Sequence, residues 1–457
     1  MIKYLIIFLA FMMSNPAYSL DHVIAHADPE ESTQPDKITI DGFQIPEGYQ
    51  LGDFSYANSF ASGRCFSFTI VPQAESSNKI AYENISSYLN KKVILSLPVS
   101  KNKTLSYSGV IDHVAYQAEG SQYSIEACDE MKLLKLASRN KLFVNKSTID
   151  AIKETLDEHG INYKFILQNH YPQIEFTTRY GETDLNFVDR LMEEAGIFYA
   201  IERDNGKDTY VFVDGIANLS NYRKDIGYKN LYPPNGEDGE DFPLGFTDER
   251  KTQLGGYQLS DYDLLNNKFI TVSAKNESGG NIMDEFQLTD YSPNMLKIVA
   301  DAKLAAENGN KNIVKLNTPN PDVDLGDKVS IEDQQYYVTA SNLTYSCDND
   351  MNCRIENEIS LFPSNLRFAN KMDTSWPYDH STLIGYISDP AQDANGRLGL
   401  RFPWMENQDN SVMYRALLSG TAQRTSFKKG DNVIVNFIGG FHDRPLILDK
   451  LCNKSCN

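Results

Sequence analysis

The stretch "RYGETDLNFVDRLMEEAGIFYAIE", Arg179 to Glu202, holds six carboxylates, Glu182, Asp184, Asp189, Glu193, Glu194 and Glu202, beside Tyr180 and Tyr199. Two carboxyl groups held about 5–9 Å apart across a cleft can hydrolyse a glycosidic bond, one as acid and the other as nucleophile or base. A second candidate is "GGFHDRP", Gly439 to Pro445, where His442 neighbours Asp443. A turn between strands accounts better for that pair, since adjacent residues seldom share a site. His22 and His26 stand at i, i+4, but a metal needs more ligands than these. The chain has no G-x-S-x-G elbow, H-E-x-x-H, P-loop or G-x-G-x-x-G followed by an acid, so no catalytic residue, cofactor or metal ligand is assigned.

Helical periodicity gives the six acids another role. Leu185, Val188, Leu191, Met192 and Ala195 form one stripe of a helix begun by Thr183 or a neighbour, and Gly196 supplies the left-handed stop. Asp184 falls in the first turn, where the helix dipole favours negative charge. Asp189 and Glu193 are expected as an exposed i, i+4 pair on the wet face. "IFYAIER" and "TYVFVDG" then read as a closing hairpin. Upstream, "STIDAIKETLDEHGI" repeats the design: Ser147 caps, Asp150 answers three residues later, Ile149, Ile152 and Leu156 share a face, and Gly160 ends the helix.

On either side the pattern is β. "CFSFTIV", "KVILSLPV", "LSYSGVIDHVAYQ" (with His113 as a structural strand residue) and "QYSIEAC" precede the helices. "KFITVSAK", "DEFQLTDY", "NIVKLNT", "DKVSIED", "QYYVTASNLTY" and "CRIENEISLF" follow them. A third helix, about Pro293 to Asn308, opens on Ser292 and Pro293 and ends at Gly309. "LRFANKMDTSWP" reads as a linker to a small β unit from about Thr382 to Leu451. With 457 residues, the chain requires several units, because single cores stop growing near ~250–300 residues. The expected class is mainly β with an α+β insert.

The formal charge of -19 excludes a general role on nucleic-acid backbone, which needs clustered Lys and Arg. Acids and bases nearly balance from Lys371 to Asn457, so the excess lies upstream, partly in the loop "GEDGED", Gly236 to Asp241. Lys3, the apolar run Leu5 to Met13 and Ala17-Tyr18-Ser19 read as a signal peptide cleaved after Ser19, predicting a secreted or periplasmic protein. The run is too short to span the ~30 Å hydrocarbon core, so no stable membrane span is expected. Six cysteines, Cys65, Cys128, Cys347, Cys353, Cys452 and Cys456, fit an oxidising compartment. Local spacing favours Cys347 with Cys353 and Cys452 with Cys456, leaving Cys65 for Cys128; buried free thiols are the alternative, and no C-x2-C pair suggests zinc.

The opening stretch also resembles the valine-glycine repeat protein G (VgrG) family of type VI secretion spikes. The matching residues are Arg179, Tyr180, Glu182, Asp184, Phe187, Arg190, Leu191, Glu193, Glu194, Gly196 and Ile197, followed by Asp214. A second match is "GRLGLRFPW", with Gly396, Arg397, Phe402, Pro403 and Trp404. A third is "KGDNVIVNFIGGFHDRPLILDKLCN", with Gly430, Val433, Val435, Phe437, Gly440, Asp443, Arg444, Pro445 and Asn453. The resemblance implies two hub-like β-barrels with a helical elaboration, followed by an oligonucleotide/oligosaccharide-binding (OB) barrel. The boundaries drawn on it are a signal over 1–19, a first barrel over 20–137, an α/β insert over 138–215, a second barrel with one helix over 216–370, and the OB unit over 371–457. It also implies a homotrimer docking on a hexameric tube protein and baseplate proteins, with a tip or cargo protein as a further partner. The family's Val/Gly needle is expected to be missing here.

The leading expectation is therefore a structural spike or baseplate-hub component. The runner-up, motivated by the signal and the cysteines, is an exported module binding glycan, envelope or protein. An enzyme, for instance a cell-wall hydrolase using the acids of Arg179 to Glu202, is the third class.

Overall fold

A computed structural model describes residues 39–451, apart from 44, 46–47, 74–85, 101–102, 118–120, 205–206, 223, 228–230, 232–246, 277–278, 290, 310, 348–352, 372–380 and 441. The expected signal, His22 and His26, the acidic loop Gly236 to Asp241, Cys452, Cys456 and Asn453 lie outside the described residues.

Six strands open the chain: β1 (Thr39–Asp41), β2 (Tyr49–Ser59), β3 (Gly63–Pro72), β4 (Lys92–Ser100), β5 (Lys103–Gln117) and β6 (Gln122–Cys128). They hydrogen-bond in the order β1-β4-β5-β6-β3-β2. Strand alternation turns Phe66, Phe68 and Ile70 of β3 inward onto Phe54, Leu95, Tyr107 and Ile125. Cys65 and Cys128 are direct partners across β3 and β6, with their Sγ atoms 2.06 Å apart. Strand β2 escapes a two-residue periodicity search because its register with β3 shifts between Leu51 and Phe54; the one extra residue of a bulge swaps the faces partway along.

The insert contains β7 (Lys141–Ser147), α1 (Thr148–Glu158), β8 (Tyr163–Ile166), β9 (Gln173–Arg179), α2 (Asp184–Ala195), β10 (Phe198–Asp204) and β11 (Lys207–Val213). The capping box is formed: Asp150 N donates to Ser147 Oγ at 3.1 Å, and Ser147 N to Asp150 Oδ2 at 3.1 Å. Helix α2 begins at Thr183, whose Oγ1 accepts from Asn186 N, and stops at Gly196 with φ 66°. A Cβ at Gly196 would lie 2.9 Å from the Cβ of Ala302, so this glycine serves both the turn and a close helix contact. Strands β10 and β11 pair as the expected hairpin, and β7 pairs with β9 in a separate two-stranded sheet.

Beyond the insert come β12 (Asp225–Gly227), β13 (Thr247–Arg250), β14 (Gly256–Asp263), β15 (Lys268–Lys275) and β16 (Ile282–Phe286). Helix α3 (Pro293–Gly309) and β17 (Asn312–Thr318), β18 (Lys328–Ile331), β19 (Gln334–Cys347) and β20 (Cys353–Pro363) follow. The strand expected at "DEFQLTDY" ends instead at Phe286, because Thr289 turns inward and donates through N and Oγ1 to the buried Asp261 Oδ2. Strands β15-β14-β16 make a small sheet under α3. Cys347 and Cys353 oppose each other where β19 ends and β20 begins.

Strand β2 pairs directly with β19, from Ser59 with Ala340 to Phe54 with Tyr345. The first sheet and the later one therefore form a single 12-stranded assembly. Last, β21 (Leu383–Asp389), β22 (Leu398–Arg401), β23 (Tyr414–Leu418), β24 (Asn432–Phe437) and β25 (Pro445–Lys450) close into a barrel. Its core is Ile387, Leu400, Phe402, Tyr414, Val433, Val435 and Ile447, joined by Leu142 and Phe176 from the insert.

Candidate functional site: the joint between insert and terminal barrel

Those two intruders locate the joint. Neighbouring residues of a strand face opposite sides, so Thr178 turns to the barrel while Arg179 turns to the helices. Thr178 Oγ1 lies 2.8 Å from Tyr414 Oη and donates to His442 O at 3.0 Å, and the Phe176 ring packs 5.4 Å from that of Tyr414. Gln408 completes the outer edge of β7: its Nε2 donates to Leu142 O at 3.0 Å, and its Oε1 accepts from Leu142 N at 3.1 Å. Arg397 grips Glu175 with both terminal nitrogens at 2.8 Å and donates through Nε to Asp393 Oδ2. A planar fork on a carboxylate fixes distance and angle together.

Aromatic rings fill the seam. Tyr180 sits 5.6 Å from Trp404 and 4.4 Å from His442, Phe402 stacks parallel on Trp404 at 5.7 Å, and Phe437 lies 4.6 Å from His442. The "GGFHDRP" segment is thus more than a turn between strands. It places the His442 ring and Asp443 against the insert.

The acids of the opening stretch need correction. They were expected on a wet face, yet Glu182, Asp184 and Glu194 are buried, and Asp189 and Glu193 are half-buried rather than exposed. Helix α2 packs against α1 on one side and α3 on another, so protein covers much of its polar face. Each buried acid has a partner instead. Arg190 Nε and Nη2 bind Glu182 at 3.0 and 2.8 Å, and Nη2 also donates to Thr178 O at 2.7 Å. Arg179 donates to Arg139 O at 2.7 Å and Glu158 Oε2 at 2.9 Å, and its Nη1 lies 3.3 Å from Asp184 Oδ1. His159 Nε2 and Arg139 Nη2 hold the other Asp184 oxygen at 2.8 and 3.2 Å. Tyr291 Oη donates to the Glu194 carboxylate at 2.9 Å. Phe187 completes the layer, with Arg179 and Arg190 guanidinium carbons 5.6 and 5.0 Å from its ring centre.

Burial sets the electrostatics. It pushes Glu194 up to about 7, despite the opposing pull of Arg190 and the Tyr291 hydroxyl. It pushes Asp443 up to about 6 against Arg190 and the Thr178 donors, and Asp189 up to about 7 against Lys132. A carboxyl group transferred from water favours its neutral form unless a cation compensates.

The arrangement lacks the openness of a hydrolytic pair. A cleft of about 320 Å³ lies alongside, lined by Glu175, Asp261 and Asp263 among others. All three acids are committed: Glu175 to Arg397, Asp261 to Thr289, and Asp263 to Leu265 N and the Asn266 side chain. The remaining motif residues shape turns and core. Gly396 and Gly430 take φ 76° and 87° ahead of β22 and β24, Leu191 is buried in α2, Pro403 opens a short 3-10 turn, and Pro445 pairs with Phe437. Arg444 reaches back to β14, with Nη2 4.0 Å from Asp261 Oδ1. Glu175, Thr178, Gln408 and Tyr291 carry no motif in sequence. Their partners stand up to 266 positions away, and only the fold brings them together.

Comparison with known proteins agrees with this architecture. The chain is 23% identical to the type VI secretion system spike protein VgrG1a of Pseudomonas aeruginosa over 86% of its own length and 66% of that protein's. It is 21% identical to the actin cross-linking toxin VgrG1 of Vibrio cholerae over 93% of its length and 41% of the toxin's. The chain therefore spans less than two thirds of the length of these curated relatives. Its fold is similar to that of the E. coli c3393 protein, a component of the type VI secretion system, with TM-score 0.61 at 19% identity, covering 91% of this chain and 100% of that one. It is similar also to the half-lidded Francisella PdpA-VgrG complex, with TM-score 0.60 at 12% identity over 92% of this chain and 79% of that one. Residues 62–335, more than half of the chain, match the phage tail baseplate hub (GPD) family, and the chain belongs to that family.

Proposed function

We propose that the protein is a structural spike or hub component of a type VI secretion-like contractile system. It acts by assembling as a homotrimer that docks on a hexameric tube protein and baseplate proteins and carries a tip or cargo protein. The observation that carries this reading is the joint itself. Motif residues Tyr180 and Arg190 face Trp404, His442 and Asp443 in one buried seam, with Arg397 paired to Glu175 across it, and this seam locks two units together, as a part transmitting mechanical load requires. Light scattering on the purified chain at micromolar concentration should return a trimer, and a tagged tube protein should retain it; a monomer that binds no tube protein overturns the proposal.

A second reading is an exported binding module on the same scaffold. It is favoured by the signal-like pattern from Lys3 to Ser19 and by the Cys65–Cys128 pairing, which suits an oxidising compartment. Fractionation separates the two: recovery as a free periplasmic species, without tube or baseplate proteins, selects the second. An enzymatic role for the acidic stretch predicts cell-wall fragments released by the purified chain and lost in Glu194→Gln. None are expected, because Glu194 is occupied by Tyr291.

A further inference from the structure

The outer face of the first sheet brings three metal-ligating side chains together. Phe66, Phe68 and Ile70 of β3 and Tyr123, Ile125 and Ala127 of β6 turn inward to the core. Alternation therefore puts Cys65 and Ser67 of β3 and Ser124, Glu126 and Cys128 of β6 on the opposite face. Cys65 is the direct partner of Cys128, and Ser67 of Glu126. Glu126 and Cys128 thus stand at i, i+2 on one strand, with Cys65 beside Cys128 on the next. Two alternate residues of a strand and one cross-strand neighbour are how a pleated sheet aims three side chains at one point. The two Sγ atoms and a Glu126 carboxylate oxygen all lie within 4.8 Å of one another. No spacing in the chain announces this set, because Cys65 and Cys128 are 63 positions apart.

One contact within the set calls for a further partner. Glu126 Oε1 lies 3.6 Å from Cys128 Sγ. In the disulfide neither sulfur carries a proton, so no donor stands between sulfur and carboxylate, whereas a cation would bind both. Thiolates joined by a carboxylate suit zinc, which takes Cys Sγ at about 2.3 Å and carboxylate oxygen at about 2.0–2.2 Å. Around a tetrahedral ion such ligand atoms stand roughly 3.5–3.8 Å apart, a spacing that fits within this cluster. Copper(I), which favours sulfur, has less use for the carboxylate. Cys128 is buried while Cys65 keeps partial access to solvent, so the site has a dry side and an open one, and a fourth position is left for water.

We infer that Cys65, Cys128 and Glu126 form a zinc site when the two cysteines are reduced, so that one pair serves as a disulfide in one redox state and as metal ligands in the other. The exchange balances. A dithiol reductant supplies two electrons and two protons: its own S–S bond forms as the Cys65–Cys128 bond breaks, and Zn2+ then displaces the two thiol protons to solvent. A disulfide oxidant takes the two electrons back, the Cys65–Cys128 bond re-forms and the ion leaves. The sheet holds the ligands in place in both states, because Phe66 pairs with Ala127 and Phe68 with Ile125 through backbone bonds that need no sulfur. The inference stands apart from the hub reading, and oligomeric state bears on neither its success nor its failure.

The test titrates cobalt(II), which reports thiolate ligation by a near-ultraviolet charge-transfer band, into the full chain after reduction with a dithiol and removal of the reductant. Far-ultraviolet circular dichroism is the folding control. The folded, reduced chain should develop the band, zinc should displace it, and the disulfide form should show none. Cys65→Ser and Cys128→Ser should each diminish it, whereas Cys347→Ser, Cys353→Ser, Cys452→Ser and Cys456→Ser together should leave it intact. Glu126→Gln keeps both thiols yet should weaken binding at least about tenfold, the lesser cost of losing only an outer partner of a ligand. Glu126→His, which offers a ring nitrogen in place of the carboxylate, should bind more tightly than Glu126→Gln. A band unchanged by Cys65→Ser or by Glu126→Gln, or one present in the disulfide form, overturns the inference. A folded, reduced chain that takes up no cobalt overturns it too, as does a chain that loses its β-sheet dichroism on reduction.

Discussion

Two seams hold this molecule together, and they are built differently. The seam between the first sheet and the later one is a strand ladder, β2 on β19, made of backbone pairs with Tyr56 and Asn58 reaching Asp324 at 2.9 and 3.1 Å. The seam between insert and terminal barrel is made almost wholly of side chains, Arg397 on Glu175, Thr178 on Tyr414 and Tyr180 on Trp404 and His442, and is backed inside the insert by Arg190 on Glu182. A ladder uses the groups that nearly every residue has. A side-chain joint works only with particular residues at particular spacings. That is why motif residues crowd at the second seam, and why the first left no signature in the chain.

The contrast can be broken from either side. The largest effect is expected for Arg190→Ala, which strands the buried Glu182 and should cost about 3–5 kcal/mol in chemical denaturation. In the ladder, Ser55→Pro should cost roughly 3 kcal/mol, because β2 is paired on both sides and proline removes a donor from the middle of a sheet. Thr178→Val keeps the shape but deletes the hydroxyl between Tyr414 and His442, for a loss of about 1 kcal/mol by the same measurement.

Titration sharpens the second seam further. Glu194, Asp443 and Asp189 have folded values pushed up to about 7, 6 and 7, above the ~4 of an unfolded carboxyl. Their contribution to stability is therefore complete below about pH 4 and lost as pH rises through 6 to 7. Asp150, Glu158 and Glu285, which gain hydrogen bonds and cations, are shifted downward and weaken the fold as pH falls below about 4. Thermal unfolding across pH should show a maximum between about 4 and 6, with a shallower alkaline decline in Asp443→Asn. The smallest effect is expected for Asn342→Ala, an exposed ladder position opposite Ala57, where melting should change by less than about 0.5 kcal/mol.

Much of the fold was legible. Helices α1 and α2 carry their caps and stripes in sequence, and β3, β5, β15, β17 and β20 show period-two runs. Strand β2 was hidden by its bulge, and β14 by Asp261, an acid at an inward position. Of the joint, the motif residues were visible and their meeting was not.

Local order was determined by the sequence alone, because capping, left-handed glycine stops and strand alternation depend on residues a few positions apart. It also marked the residues on which the chain depends, through their spacing. The environment of the acids was decided only by tertiary structure. Glu194 occupies a position that periodicity assigns to water, and Tyr291, just ahead of α3, fills that space with protein. Charge in a protein answers to whatever surrounds it, and Asp184 and Glu194 take their partners His159 and Tyr291 from 25 and 97 residues away.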